Sequence, residues 1–133
     1  MEQSRNATAL GVLLVVNVAL VVLLTPLGFE SRPPTALKVG GYLAIATIFT
    51  GLALDLAAIV LLVKRRARMA SSLALLASVL FLFPNLGDQA GVFFSLPIPP
   101  VVNTLEYIFM VVLVATLVVA WMVYRETSRE ASC

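Results

Sequence analysis

Residues 39–63 read VGGYLAIATIFTGLALDLAAIVLLV, with Asp55 as their single charge, and the next five, Lys64-Arg65-Arg66-Ala67-Arg68, carry four cations. A helix needs about 20 predominantly apolar residues to cross roughly 30 Å of hydrocarbon, and this stretch supplies them. The basic cluster is the stop signal, and it orients the span, because Lys and Arg accumulate on the cytoplasmic side.

Working outward from residues 39–63, three more apolar stretches flank it: Asn6–Phe29 without a charge, Met69–Gly87, and Val101–Tyr124 broken only by Glu106. The whole chain has 133 residues, of which 61% are hydrophobic and 12% charged. A soluble domain carries about a quarter charged residues. The expected fold is all-α, a four-helix transmembrane bundle of two antiparallel hairpins with both termini cytoplasmic, forming a single integral-membrane domain over residues 1–133. The spans are expected at about 8–25 (TM1), 38–63 (TM2), 67–83 (TM3) and 101–124 (TM4), with an outer loop at 84–100. TM1 should stop at Thr25 and TM3 at Phe83, because each precedes a proline, which disfavours helical geometry in the residue before it. Met69–Phe83 spans only about 23 Å by helical rise, so TM3 is expected to use Arg66–Arg68 as its first turn.

The flanking charges agree with this topology. Arg5, the 64–68 cluster, Arg125 and Arg129 fall on one side, and only Arg32 and Lys38 on the other. The run after Arg5 is longer than the roughly 7–15 residues of a signal-peptide core, so it reads as a retained helix. The expected location is an integral membrane, the plasma membrane of a prokaryote. Asn6-Ala7-Thr8 spells a glycosylation sequon but lies on the cytoplasmic side in this topology. Net charge is +2, and the cations punctuate the spans and do not form a face that could follow a phosphate backbone, which argues against a nucleic-acid partner. The expected partners are the lipid bilayer and either further copies of the chain or other membrane subunits.

Histidine is absent and the only cysteine is Cys133. His-ligated haem, His/Cys zinc, a triad nucleophile and an intrachain disulfide are therefore excluded, and no metal or cofactor is expected. Ser71, Ser72 and Ser78 have no base near them in sequence and read as small contacts for neighbouring helices. Tyr107, Trp121 and Tyr124 fall toward the ends of TM4 as interfacial anchors. A weak internal echo links Pro26-Leu27-Gly28 and Pro33-Pro34 to Pro84-Asn85-Leu86-Gly87 and Pro99-Pro100, a match that apolar low-complexity sequence produces easily.

Two acids remain to be explained. Asp55 lies nine positions before Lys64, about 13 Å from the membrane edge by helical rise, where an acid costs roughly 2.5–3.5 kcal/mol to insert. Gly40, Ala44, Thr47, Gly51, Asp55 and Ala58 recur at helical spacing, a small-residue stripe that admits a neighbouring backbone, while Ile45, Leu52, Leu56 and Ile59 form a face suited to lipid. Asn17 in TM1 lies at nearly the same depth, so an Asn17 amide donating to Asp55 is expected, with Asn17, Thr47 and Asp55 as a candidate intramembrane polar site. Glu106 lies about one turn into TM4 from the outside and joins Asn85, Asp88 and Asn103 in a candidate outer polar site. The two acids differ by about 15 Å in depth, too far for a hydrolytic carboxylate pair.

The outer loop Gly91–Pro100 is apolar and proline-rich, suited to packing on its own bundle or on a partner. With few extramembrane surfaces for chemistry, the leading functional expectation is a non-enzymatic protein acting through helix–helix association, as a homo-oligomer or a subunit of a membrane complex. The alternative is a proton- or cation-coupled small carrier or channel that uses Asp55 and Glu106. An enzyme acting on lipid or isoprenoid fits least.

Overall fold

The computed structural model describes residues 5–30 and 37–132, with side chains described for 5–27 and 37–129. Met1–Ser4, the connector at 31–36 with Arg32, and Cys133 lie outside the described residues. The chain forms four helices, α1 (Arg5–Glu30), α2 (Val39–Val63), α3 (Ala67–Gln89) and α4 (Pro100–Ser132), each long and apolar enough to cross a membrane. Hydrocarbon offers no hydrogen bonds, so a helix, which satisfies its own backbone, is what such stretches can form there.

Two boundaries differ from the sequence expectation. Both α1 and α3 run through their prolines, Pro26 and Pro84. Proline removes one N–H and strains one turn, yet membrane helices tolerate it where neighbours and polar side chains repair the ladder. At Pro84 a polar group is adjacent: Asn85 Nδ2 donates to the Phe81 carbonyl at 2.8 Å, next to the Leu80 carbonyl that the proline leaves without its donor. So α3 begins at Ala67, with Arg68 in its first turn and Arg66 as N-cap, and gains further length at the Gln89 end, and the expected outer loop at 84–100 shrinks to 90–99. Helix α4 also continues past Tyr124 to Ser132.

The turn between α2 and α3 is closed by two bonds, Arg65 N–H to the Leu62 carbonyl (3.0 Å) and Arg66 N–H to the Leu61 carbonyl (2.8 Å), with Arg65 at φ 60°. This is a Schellman cap with arginine where glycine is usual. Helix α3 ends in the same way, with Gly91 at φ 75°, its N–H on the Asp88 carbonyl and that of Val92 on the Gly87 carbonyl.

Each helix packs on two neighbours in a ring, α1 against α2 and α4, and α3 against α2 and α4. At Gly51 helices α2 and α3 approach closely: a methyl placed there would lie 2.9 Å from the Phe81 ring. Two apolar clusters fill the interior. One, toward the 64–66 turn, comprises Ala7, Leu10, Leu14, Ala58, Leu62, Ala70, Ala74, Ala120 and Val123. The other, toward the opposite end, is built around Val21, Leu24, Ala77, Phe81, Val102, Phe109 and Leu113, with Leu52 and Ile48 packed on it. Outside, Val12, Leu43, Phe49, Leu76, Val111 and Val118 are exposed, the distribution expected when the solvent is lipid.

The far end is capped by the 90–99 segment. Phe93 and Phe94 are buried, the Phe93 carbonyl accepts from the Lys38 N–H at 2.7 Å, and Leu37 and Phe94 form an isolated bridge. The apolar loop thus packs on its own bundle.

Candidate functional site

The two apolar clusters are separated by a polar layer. Asn17, Asp55, Ser78 and Thr116, one residue from each helix, are all 0% exposed. Their common level follows from the cluster membership of their neighbours. One turn toward the 64–66 turn stand Leu14, Ala58, Ala74 and Ala120, all in the first cluster. One turn the other way stand Val21, Leu52, Phe81 and Leu113, all in or against the second. Four polar residues therefore occupy one stratum near the middle of four apolar helices.

Only part of this stratum is internally satisfied. Asn17 Nδ2 donates to Thr116 Oγ1 at 2.9 Å, and Thr116 Oγ1 donates to its own helix at the Val112 carbonyl, 2.7 Å away. The expected Asn17 amide bond to Asp55 is not formed. Helix α1 packs more closely on α4 than on α2, so the amide finds the Thr116 hydroxyl. Asn17 Oδ1, both Asp55 carboxyl oxygens and Ser78 Oγ have no hydrogen-bond partner among the described residues. Ser78 is unlike Ser71, Ser72, Thr47 and Thr50, whose hydroxyls donate back to carbonyls three or four residues earlier.

Thr47, the third member of the expected intramembrane site, is not in this layer. It stands two turns from Asp55, half-buried, with its hydroxyl on the Ala44 carbonyl at 2.8 Å. The small-residue stripe is buried at Ala44, Gly51, Asp55 and Ala58. Of the face assigned to lipid, Leu56 is exposed, but Leu52 and Ile59 pack partly on the core.

Comparison of the chain with protein-family models, curated proteins and solved structures gives no match.

Beyond Phe81, toward the capped end, a small, partly enclosed cavity of about 80 Å³ opens between the helices. Val21 and Phe81, one turn from the polar layer, line it together with Ile48 and Phe109, two turns from the layer, and with Phe93 and Phe94 of the cap. Asn85, Asp88 and Glu106 line it, so three of the four residues of the expected outer polar site meet in one space. The fourth, Asn103, is joined to Glu106 through Gln89, whose Nε2 donates to Asn103 Oδ1 at 2.9 Å and to Glu106 Oε2 at 2.8 Å.

Sequence reading missed Thr116, Gln89 and the significance of Ser78. Thr116 stands eight positions before Tyr124, so the depth arithmetic that matched Asn17 to Asp55 would have found it if extended to the fourth helix. Gln89 fell in the expected loop, and it reaches Glu106 only because α3 continues past Pro84.

Proposed function

We propose that this chain is a small integral-membrane carrier or channel for a proton or cation, non-enzymatic, in which Asp55 is the exchanging group. The observation that supports this reading is the carboxyl group of Asp55, fully buried at the mid-level of the bundle with no donor and no cation among the described residues. An acid held as structural glue needs a donor to hold. Without one, its burial costs stability and brings no packing in return, and an ionisable residue deep inside a membrane bundle is by default a functional one. The cavity beside it, lined by Asn85, Asp88 and Glu106, supplies a polar approach from the capped end, with Phe81 between the cavity and the layer.

The topology that goes with this reading is two antiparallel hairpins with both termini and the 64–68 cluster cytoplasmic, so that the cavity faces outward. Neighbouring pairs support it: Gly11 lies near Leu62, Gly51 near Phe81, Asn17 bonds Thr116 and Asn6 bonds Glu126. Cysteines at Ala67 and Gly91 should label from opposite sides, Gly91 from outside; labelling of both from one side would end the four-span arrangement.

Association with further copies or with other subunits is the second reading. The small-residue stripe that first suggested it is taken up inside the monomer, Gly51 by Phe81. What favours it is an apolar groove between α1 and α2, lined by Thr8, Gly11, Val12, Val15, Ile59 and Val63.

The deciding experiment reconstitutes the full chain in proteoliposomes and follows ion or proton movement under an imposed gradient. Asp55→Asn, which keeps shape and polarity, should abolish the flux while the protein stays folded. Undiminished gradient-driven flux in Asp55→Asn would remove Asp55 from the mechanism.

A further inference from the structure

We infer that the polar layer binds one dehydrated sodium ion through the oxygens of Asp55, Asn17 and Ser78. The inference rests on the transport reading and narrows it from a proton or a cation to a cation.

The support is a count of donors and acceptors. Every donor that Asn17 and Thr116 are seen to offer is directed within the protein: the Asn17 amide to Thr116, the Thr116 hydroxyl to the Val112 carbonyl. What is left over is three acceptor oxygens, Asn17 Oδ1, Asp55 Oδ1 and Asp55 Oδ2, and the Ser78 hydroxyl, which can donate or accept, on three helices at one level, all in fully buried residues. A buried polar group without a partner costs about 1–3 kcal/mol, and this stratum holds three such acceptor oxygens and one such hydroxyl.

Three occupants could relieve that cost, and they are not equivalent. A proton on Asp55 makes one new donor and so serves one of the remaining oxygens. A buried water donates twice but brings no charge to set against a carboxylate in hydrocarbon. A hard cation cancels the single negative charge, and carboxylate, amide and hydroxyl oxygens are the donor set such ions prefer. One carboxylate matches a monovalent ion. Among the described residues no group of three or more His, Cys, Asp or Glu exists that could hold a more highly charged metal. Ala58 on α2 and Ala74 and Ala77 on α3 are small residues flanking the layer, which lets these two helices approach closely and favours the smaller alkali ion.

The test uses the full chain in mild detergent. Its melting temperature is measured in sodium, potassium and choline chloride at equal ionic strength, beside retention of radioactive sodium and the proteoliposome flux described above. Sodium alone should raise the melting temperature saturably, as a ligand that binds only the folded state does. Asp55→Asn should abolish the rise, and Ser78→Ala, a change small enough to leave folding intact, should increase the half-saturating sodium concentration by about tenfold. Equal effects of the three salts on the wild type, together with Asp55-dependent flux driven by a proton gradient, would overturn the sodium site and leave the transport reading standing. Equal effects with no Asp55-dependent flux would overturn both and leave a hydrated packing layer. Unchanged sodium dependence in Ser78→Ala would overturn the ligand set.

Discussion

Asp55 and Glu106 are both buried acids on apolar helices, and the bundle treats them differently. Glu106 is 6% exposed, lines the cavity at the capped end and accepts from Gln89 Nε2, which also holds Asn103. Asp55 is fully buried one cluster away and accepts from nothing among the described residues. Burial alone therefore does not distinguish a structural acid from a working one. The provision of donors separates the two: Glu106 has an amide placed for it, whereas Asp55 has none among the described residues, and the proposed exchange rests on that difference.

The largest expected effect comes from removing the amide that Glu106 shares with Asn103. Gln89→Leu deletes both of these bonds and should destabilise the protein by about 2 kcal/mol, read as a lower melting temperature. Asp55→Ala should show the opposite asymmetry: no loss of stability and a gain of the order of 1 kcal/mol, since it removes a buried polar group that has no partner to abandon. A clear loss in Asp55→Ala would mean that Asp55 is glued after all.

Between the two acids stands Phe81, held against Gly51. Gly51→Ala should push the ring into the cavity at a cost of about 1–2 kcal/mol, and should slow any flux between cavity and layer. Equal flux in this variant would show that the ring does not lie on the route. Away from both acids, Arg65→Gly relieves a left-handed arginine in the 64–66 turn and should stabilise by about 1 kcal/mol without touching transport. The smallest effect belongs to the satisfied part of the layer. A double-mutant cycle on Asn17→Ala and Thr116→Val should give a coupling of about 0.6 kcal/mol, typical of a hydrogen bond between membrane helices.

What the sequence made legible was set by length, hydropathy and depth. Four helices long enough to cross a membrane follow from the apolar runs, and α2 ends at Val63 as expected because Lys64–Arg68 and the tight turn end it sharply. Asp55 and Asn17 could be placed at one depth by helical rise alone. Rise gives no azimuth, however, so the arithmetic could not say that Asn17 turns to Thr116, nor that Thr47 satisfies its hydroxyl on its own backbone. Local proline rules misplaced the ends of α1 and α3, because those rules describe an isolated chain, whereas at Pro84 an adjacent Asn85 amide reaches the backbone at the break. Gln89 was hidden by the same error.

The most direct test is difference infrared spectroscopy on the reconstituted chain, recorded while sodium or protons are exchanged. An exchanging Asp55 should give a carboxyl band that changes with the exchanged ion in the wild type, persists in Glu106→Gln and is absent from Asp55→Asn. Identical spectra for wild type and Asp55→Asn, or a carboxyl signal that disappears only in Glu106→Gln, would place the exchange elsewhere and contradict the role assigned to Asp55.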